Sequence, residues 1–544
     1  MLNIKDALKD KYCPKQEYRP GQKAAVISIF GAICNGYKYV ALNAPTGSGK
    51  SIIAGAIGNL MGESYILTTE KKLQDQYLDL GPDYKLVKGR GNFPCMSDHS
   101  ITADRGKCLI GQSDFKCPYK PKKSPDEWKW GANKCQYWAQ VEEGIHSKHT
   151  IFNYSYYVLK MNSINKDFMP RTLQIYDEGH NLESHIRRIS SFELHDRSLK
   201  ILDFINGIDT FHAADFYQIP MEELKTKEKA VEWLKELETV IAIRTRDTRA
   251  TLSAYDMSKQ RLMKLEHMGE KLSQFLHDYL KRPDNWVISY DDNGFKIIPL
   301  HVGGFTNKIL FNHAQYHLIM SATLPNKKIL CQRLGIKESE MFYYDMTSTF
   351  PPENAQIYSY AQPTMNWSDD MDKKRDMMGK KIIRIMKKYD GRGLILCNSF
   401  AEIKHYTQYL YENDYDQYLR LTVHNRGDKA EYIIDDHKAK KNSVMISPSM
   451  WEGVDLIDNL GEFLIIAKVP YADMTDPVVQ GWMKINRARY YEDAVQKIRQ
   501  GSGRVVRSET DKADIHILDG SFRRIFKNYL HDFPEEFRNR VNYK

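Results

Sequence analysis

No window of the chain approaches the roughly 18 consecutive apolar residues that a membrane-spanning helix needs, so no membrane partner is expected. Behind Met1-Leu2-Asn3-Ile4-Lys5-Asp6 no apolar run follows a basic stretch, so no secretory signal is expected either. The reading is a soluble intracellular protein, cytoplasmic, or nuclear in a eukaryote. Internal repeats and low-complexity tracts are missing, which excludes solenoids and disordered tails. Cysteine is sparse, at eight in 544 residues, and no two fall in a Cys-x-x-Cys pair. In a reducing compartment these are not disulfides, so a clustered set reads first as a metal site. A large charge excess is lacking too. The 79 Lys and Arg against 70 Asp and Glu leave +9, which favours a polyanionic partner without naming one.

What is present is length enough for three or four domains and, at 42% apolar residues, material for several cores. Short apolar runs alternate with stretches of helical period, the pattern of α/β layering on parallel strands. One set of strands is expected at Tyr39–Leu42, Tyr65–Thr68, Leu173–Tyr176 and His317–Met320. A second is expected at Leu394–Cys397, Ser443–Ile446, Phe463–Ile466 and Ile515–Leu518. Two segments break this rhythm. Residues 90–140 are rich in Lys, Cys, Pro and Trp. Within 184–300, Val231, Trp233, Leu234, Leu237 and Ile241 share one helix face, and Leu262, Leu265, Leu272, Leu276 and Tyr279 share another. A hairpin follows, Trp286–Tyr290 and Phe295–Ile298 around Asn293-Gly294.

Ala44-Pro45-Thr46-Gly47-Ser48-Gly49-Lys50-Ser51 follows a strand and precedes a helix-compatible stretch, the context of a phosphate-binding loop. Glycines let backbone N–H groups face phosphate oxygens, Lys50 reaches the outer phosphates, and Ser51 offers a hydroxyl to Mg²⁺. Asp177-Glu178-Gly179-His180 ends a later strand; Asp177 suits Mg²⁺ and Glu178 suits the attacking water. Near the C-terminus, Gln500, Arg504 and Arg507 are candidates to stabilise a γ-phosphate, the two arginines being expected on one helix face.

With these elements in order, the chain resembles the XPD/DinG family of superfamily 2 helicases. Tyr18-Arg19-Pro20-Gly21-Gln22 looks like the element before the phosphate loop. Thr68, Thr69, Leu73 and Gln74 look like motif Ia, Ser321-Ala322-Thr323-Leu324 is similar to motif III, and Asn398-Ser399-Phe400 falls where motif IV would. Trp451-Glu452-Gly453-Val454-Asp455-Leu456 resembles motif V, followed by Lys468-Val469-Pro470-Tyr471 and Asp476-Pro477. The likeness implies an α/β fold of two RecA-like parallel-sheet lobes with ATP between them. The first lobe would be interrupted by a small metal-cluster domain and a mainly helical arch-like domain. Lobe 1 would comprise residues 1–89, 141–183 and 301–344, the cluster domain 90–140, the arch-like insertion 184–300, and lobe 2 residues 345–544. Lys50, Ser51, Asp177, Glu178, Gln500, Arg504 and Arg507 would serve ATP hydrolysis, Ser321 and Thr323 its coupling to lobe movement, and Arg19 and Gln22 the edge of the nucleotide. Gly179 stands where the family usually has Ala, and Asp519-Gly520-Ser521 lacks the arginine that commonly follows.

Cys95, Cys108, Cys117 and Cys135 fall within one insertion, whereas Cys13, Cys34, Cys331 and Cys397 are scattered and read as small buried hydrophobes. Composition leaves Zn²⁺ and a [4Fe–4S] cluster both open for the four thiolates. The resemblance of Lys88-Gly89-Arg90-Gly91-Asn92-Phe93-Pro94-Cys95 to the family's iron–sulfur domain implies the cluster, with zinc as the alternative. Around these cysteines lie Phe93, Tyr119, Trp128, Trp130, Tyr137 and Trp138, with Lys116, Lys120, Lys122 and Lys123. Interleaved rings and lysines suit single-stranded DNA, although a small domain needs most such rings as its core. The expected activity is that of an ATP-dependent DNA helicase on single-stranded or forked DNA. It would act as a monomer and, by the resemblance, travel 5′ to 3′. The alternative is an ATP-driven translocase or remodeller with a structural zinc site and little unwinding.

Overall fold

The computed structural model describes residues 9–544 apart from 16, 20, 70, 107, 109–116, 124–127, 132, 163–166, 203–223, 225, 251–255, 292–293, 348–350, 366–369, 452–455, 457–459 and 507–510. Pro20, Lys116, Asn293, Glu452 to Asp455 and Arg507 therefore lie outside the described residues.

Apolar runs buried on both faces build two parallel sheets. The first contains β1 (Tyr39–Asn43), β2 (Ser64–Thr68), β3 (Tyr84–Val87), β4 (His149–Asn153) and β5 (Arg171–Tyr176). The chain then leaves for an insertion whose strands are β6 (Phe192–Leu194), β7 (Trp286–Asp291) and β8 (Gly294–Pro299). It returns as β9 (Ala314–Ser321) and β10 (Met341–Asp345). The order is β10-β1-β9-β5-β2-β4-β3, with every pairing parallel. Successive side chains of β1 face opposite ways. Val40 and Leu42 meet Ala25, Ile29, Ile53 and Ile57 on one side. Tyr39 and Ala41 join a larger core on the other, which also takes in Tyr137 and Trp138 and the insertion residues Leu234, Leu265 and Trp286. Both insertions thus close over the same face of this sheet, and each large apolar side chain so buried contributes about 1.5–3 kcal/mol.

The second sheet, also parallel, contains β11 (Ile357–Ser359), β12 (Gly393–Leu396), β13 (Leu421–Val423), β14 (Val444–Ser447), β15 (Phe463–Ile466), β16 (Asp514–Ile517) and β17 (Val541–Tyr543). Its order is β13-β14-β12-β15-β16-β11-β17. The fold is therefore the expected α/β pair of RecA-like lobes. Six strands fall outside the sequence-based sets: β3, β4, β10, β11, β13 and β17.

Helices used below are α1 (Lys50–Met61), α2 (Lys71–Leu78), α3 (Leu182–Ser190), α4 (Lys227–Ala250), α5 (Asp256–Lys281), α6 (Pro477–Ile485) and α7 (Arg487–Ser502). The expected apolar stripes lie on α4 and α5, which meet through Leu234, Leu237, Ile241, Leu265 and Leu272. The expected hairpin is β7–β8, and β6 adds a third antiparallel strand to it.

Candidate active site

Three neighbouring strands deliver the chemistry, because β1, β9 and β5 lie side by side and each ends at the same edge of the sheet. Ligands of open parallel sheets bind at that edge. From β1 the chain enters the phosphate loop, where Gly47 and Gly49 adopt φ of +79° and +77°. Only glycine tolerates these values cheaply, and they turn the following amides inward at the start of α1. A Cβ on Gly49 would lie 2.2 Å from Gln22 Nε2. Gln22 is itself committed to the loop's underside: its Nε2 donates to Ser48 O at 2.9 Å, and its Oε1 accepts from Arg19 N at 2.8 Å. Lys50 Nζ donates to Ala44 O at 3.4 Å, so the ammonium arches back over the loop.

At the end of β5, Asp177 is buried, with all its polar atoms engaged. Tyr77 OH donates to Oδ2 at 2.9 Å, Glu178 N to Oδ1 at 2.9 Å, and Tyr154 OH to the backbone oxygen at 2.8 Å. Glu178 is the single non-glycine residue with positive φ among the described residues, at +51°. That conformation is costly, of order 1–3 kcal/mol, and it swings the carboxylate toward the cleft. Burial and the neighbouring Glu178 charge push the Asp177 carboxyl up. For Glu178, burial also opposes ionisation, but the His180 hydrogen bond and charge, with Lys50 and Arg504, outweigh it and hold the group below the usual carboxylate range. Glu178 is thus ionised at neutral pH. His180 Nδ1 lies 3.2 Å from Glu178 Oε2 and 2.7 Å from Ser321 Oγ, and Ser321 Oγ reaches Glu178 Oε2 at 3.4 Å. Thr323 N donates to Ser321 Oγ at 3.2 Å. The end of β9 is thereby wired to the acidic turn.

The second lobe supplies the opposite wall. Residues 45–47, 49–51, 177, 178, 180, 322 and 323 face Gln500, Ser502, Gly503 and Arg504 across a cleft of about 620 Å³. That is ample for a nucleotide. Arg504, expected on a helix face with Arg507, lies beyond the helix, because α7 stops at Ser502; Arg507 lies outside the described residues. Gly503 N doubles back to Arg499 O and Gln500 O, which caps the helix and leaves Arg504 in the turn beyond. Arg504 Nε donates to Trp451 O at 2.9 Å, and Leu456 N donates to Arg504 O at 3.2 Å. The ends of the motif V segment thus clamp this arginine. Gln500 Nε2 is buried on the cleft wall without a hydrogen-bond partner among the described residues, so it is a donor ready for an anionic oxygen. Arg19, Gln22, Ala44 and Ser48 do not line the cleft; they brace the loop from behind. Arg499, which sequence reasoning passed over, joins the lobes by donating to Leu324 O at 3.0 Å. Its position next to Gln500 was the available signal.

In the cysteine-bearing segment, Tyr137 and Trp138 are buried, while Phe93, Tyr119, Trp128 and Trp130 pack around them as the expected core. Cys13, Cys331 and Cys397 are buried as expected. Cys34 is exposed, because it is the last residue of the helix Gln22–Cys34 and points past the core. A Cβ on Gly106 would lie 3.2 Å from Cys95 Sγ and 3.7 Å from Cys108 Sγ. Cys117 lies near Cys108 and Cys135. Among the described residues no three His, Cys, Asp or Glu side chains converge as the ligands of a single metal ion. No helix of the described residues is long and apolar enough to cross a membrane.

Residues 382–540 match the helicase C-terminal domain. Over 217 residues the chain is 23% identical to the ATP-dependent DNA helicase YoaA of Haemophilus influenzae, covering 38% of this chain and 32% of that protein. Over 356 residues it is 24% identical to the ATP-dependent DNA helicase DinG of Photobacterium profundum, covering 58% and 49%. A solved XPD helicase superposes on 97% of this chain and 99% of its own at a TM-score of 0.63, with 16% identity. The likeness is thus to XPD- and DinG-type helicases, in the fold over nearly the whole chain and in sequence over part of it. The chain spans a third to a half of the length of these two curated relatives. The cleft is divided unequally by the family match. The helicase C-terminal match holds Gln500 and Arg504, whereas the phosphate loop and acidic turn lie outside it.

Proposed function

We propose that the protein is an ATP-dependent DNA helicase that moves along single-stranded DNA from 5′ to 3′. The observation that carries this reading is the gathering of Lys50, Ser51, Asp177, Glu178, Gln500 and Arg504 around one interlobe cleft. The loop amides and Lys50 hold the outer phosphates of ATP, and ionised Glu178, steadied by His180, orients the attacking water. Gln500 and Arg504 reach from the other lobe to charge developing on the γ-phosphate. Ser51 and Asp177 would hold Mg²⁺, which when bound neutralises phosphate charge. Because both lobes contribute, hydrolysis and lobe separation are coupled, and Ser321, bonded to His180 and Thr323, relays the change.

Cys95, Cys108, Cys117 and Cys135 would hold a [4Fe–4S] cluster. Gly106 supports the fit, because a side chain there would crowd Cys95 Sγ and sit against Cys108 Sγ. Such a cluster supplies a rigid cross-link to a segment too small to order itself. DNA-stimulated ATP hydrolysis and unwinding of a forked duplex test the reading. Wild-type protein should show both and Glu178→Gln neither; ATP turnover that ignores DNA would overturn it.

A further inference from the structure

Tyr77 belongs to no motif, yet its hydroxyl reaches the centre of the candidate site. The ring sits on α2 and is fully buried in the core that includes Ala54, Ile57 and Ile66. From there the hydroxyl donates to Asp177 Oδ2 at 2.9 Å and lies close to Ser51. Ser51 opens α1 and Asp177 follows β5, and the Tyr77 hydroxyl lies between these two elements. The remaining Asp177 oxygen accepts from Glu178 N at 2.9 Å, so the carboxylate is fixed at both ends. The same helix presents Lys72, Leu73 and Gln76 to the cleft.

We infer that Tyr77 is a positioning residue for the divalent cation that accompanies ATP. By holding Asp177 Oδ2 in place, close to Ser51, its hydroxyl sets where that carboxylate stands beside the Ser51 oxygen that would share the ion. Donors that hydrogen-bond a ligating carboxylate from behind orient it, and their loss weakens metal binding about ten- to a hundredfold. Tyr77 also makes α2 a part of the cation site, so a shift of this helix changes the grip on the metal.

The inference rests on the ATP-hydrolysing reading above, and the experiment separates the two. Mn²⁺ binding in the presence of a non-hydrolysable ATP analogue is followed by electron paramagnetic resonance, for wild type and Tyr77→Phe. The Phe variant keeps the buried ring. Its affinity for the analogue in excess chelator should match wild type, while its Mn²⁺ affinity falls about tenfold. The Mg²⁺ concentration for half-maximal hydrolysis should rise in step, with kcat largely recovered at saturating metal. Tyr77→Leu, a second variant without the hydroxyl, should weaken Mn²⁺ equally whatever it does to stability. Equal Mn²⁺ affinity in wild type and Tyr77→Phe overturns the role of Tyr77 and leaves the ATPase standing. A wild type that binds neither Mn²⁺ nor the analogue overturns the ATPase reading itself.

Discussion

Arg489 of α7 grips Glu183 of α3 with two parallel N–H···O bonds, 2.7 Å to Oε1 and 2.5 Å to Oε2, across 306 residues of sequence and from one lobe to the other. Arg187 adds a third donor to Oε1 at 2.5 Å. Arg333 lies 4.0 Å from Oε2 while bonding Asp493 at 2.7 Å. Trp482 is faced by Arg187 and Arg489, with ring centroids 4.7 and 3.9 Å away. Six residues before Glu183 is Asp177, and eleven after Arg489 is Gln500. The pair therefore registers both walls of the nucleotide cleft.

Removing one partner leaves a buried charge short of its counterion. Arg489→Met should destabilise the protein by about 3–5 kcal/mol, read as a lower midpoint in urea. Glu183→Gln should leave a shallower pH dependence. Burial pushes the Glu183 carboxyl up, but Arg489, Arg187 and Arg333 bring it down to about 2. Its contribution to stability is therefore complete above the ordinary carboxylate value near 4.5 and is lost as pH falls toward 2. Melting temperatures at pH 3 and pH 7 should differ less in Glu183→Gln than in wild type; an equal difference would remove Glu183 from the acid response.

Glu178→Gln should slow DNA-stimulated ATP hydrolysis at least about 100-fold while ATP still binds, since the phosphate contacts remain. Lys50→Ala should lose hydrolysis together with affinity. Arg504→Ala should cost about a thousandfold in turnover. Steady-state hydrolysis with a nucleotide-binding titration checks all three, and normal turnover by Glu178→Gln would dismantle the assignment.

Affinity for single-stranded DNA should fall steeply with salt and vary little with base sequence. Lysines answer to phosphates, and rings stack on any base. Each phosphate contact should add about 0.7 to the slope of log affinity against log salt. A flat line for mixed-sequence oligonucleotides across a salt series would mean the binding surface has been misread.

Purified aerobically, the protein should carry iron and absorb in the visible, and Cys108→Ser should lose both. The variant should keep some ATPase, because Lys50, Glu178 and Arg504 stand outside the cysteine segment, but should lose unwinding. Wild type should open duplexes with a 5′ tail and not those with only a 3′ tail. Zinc in place of iron would favour the translocase alternative, and preference for the 3′ tail would reverse the proposed polarity.

The phosphate loop, the acidic turn and Ser321-Ala322-Thr323 were legible because each is contiguous and each ends a strand buried on both faces, which leaves an apolar run to read, as in Tyr39–Asn43. Edge strands were not. β3 carries Lys85, β17 carries Asn542, and both are short and partly exposed, so they lack a run to read. The end of α7 was missed because the spacing of Arg504 and Arg507 invites a helical reading, whereas the helix stops at Ser502 and Gly503 caps it. Tyr77, Glu183 and Arg489 left no local trace, since each acquires its meaning from a partner a hundred or more residues away.

The helical insertion hangs from lobe 1 by a two-stranded neck, Phe192 to Leu194 of β6 paired with Phe295 to Ile297 of β8. Antiparallel neighbours lie about 5 Å apart, so the chain leaves and returns almost at one point. In engineering terms the segment between Leu194 and Phe295 is a cassette. A short turn in its place would close a hairpin and leave the seven-stranded sheet in its original connectivity. The cassette also owns β7, whose Val287 abuts Gly481 of α6 in the second lobe. Swapping it would do more than change a peripheral ornament: it would remove a contact that ties the insertion to the second lobe.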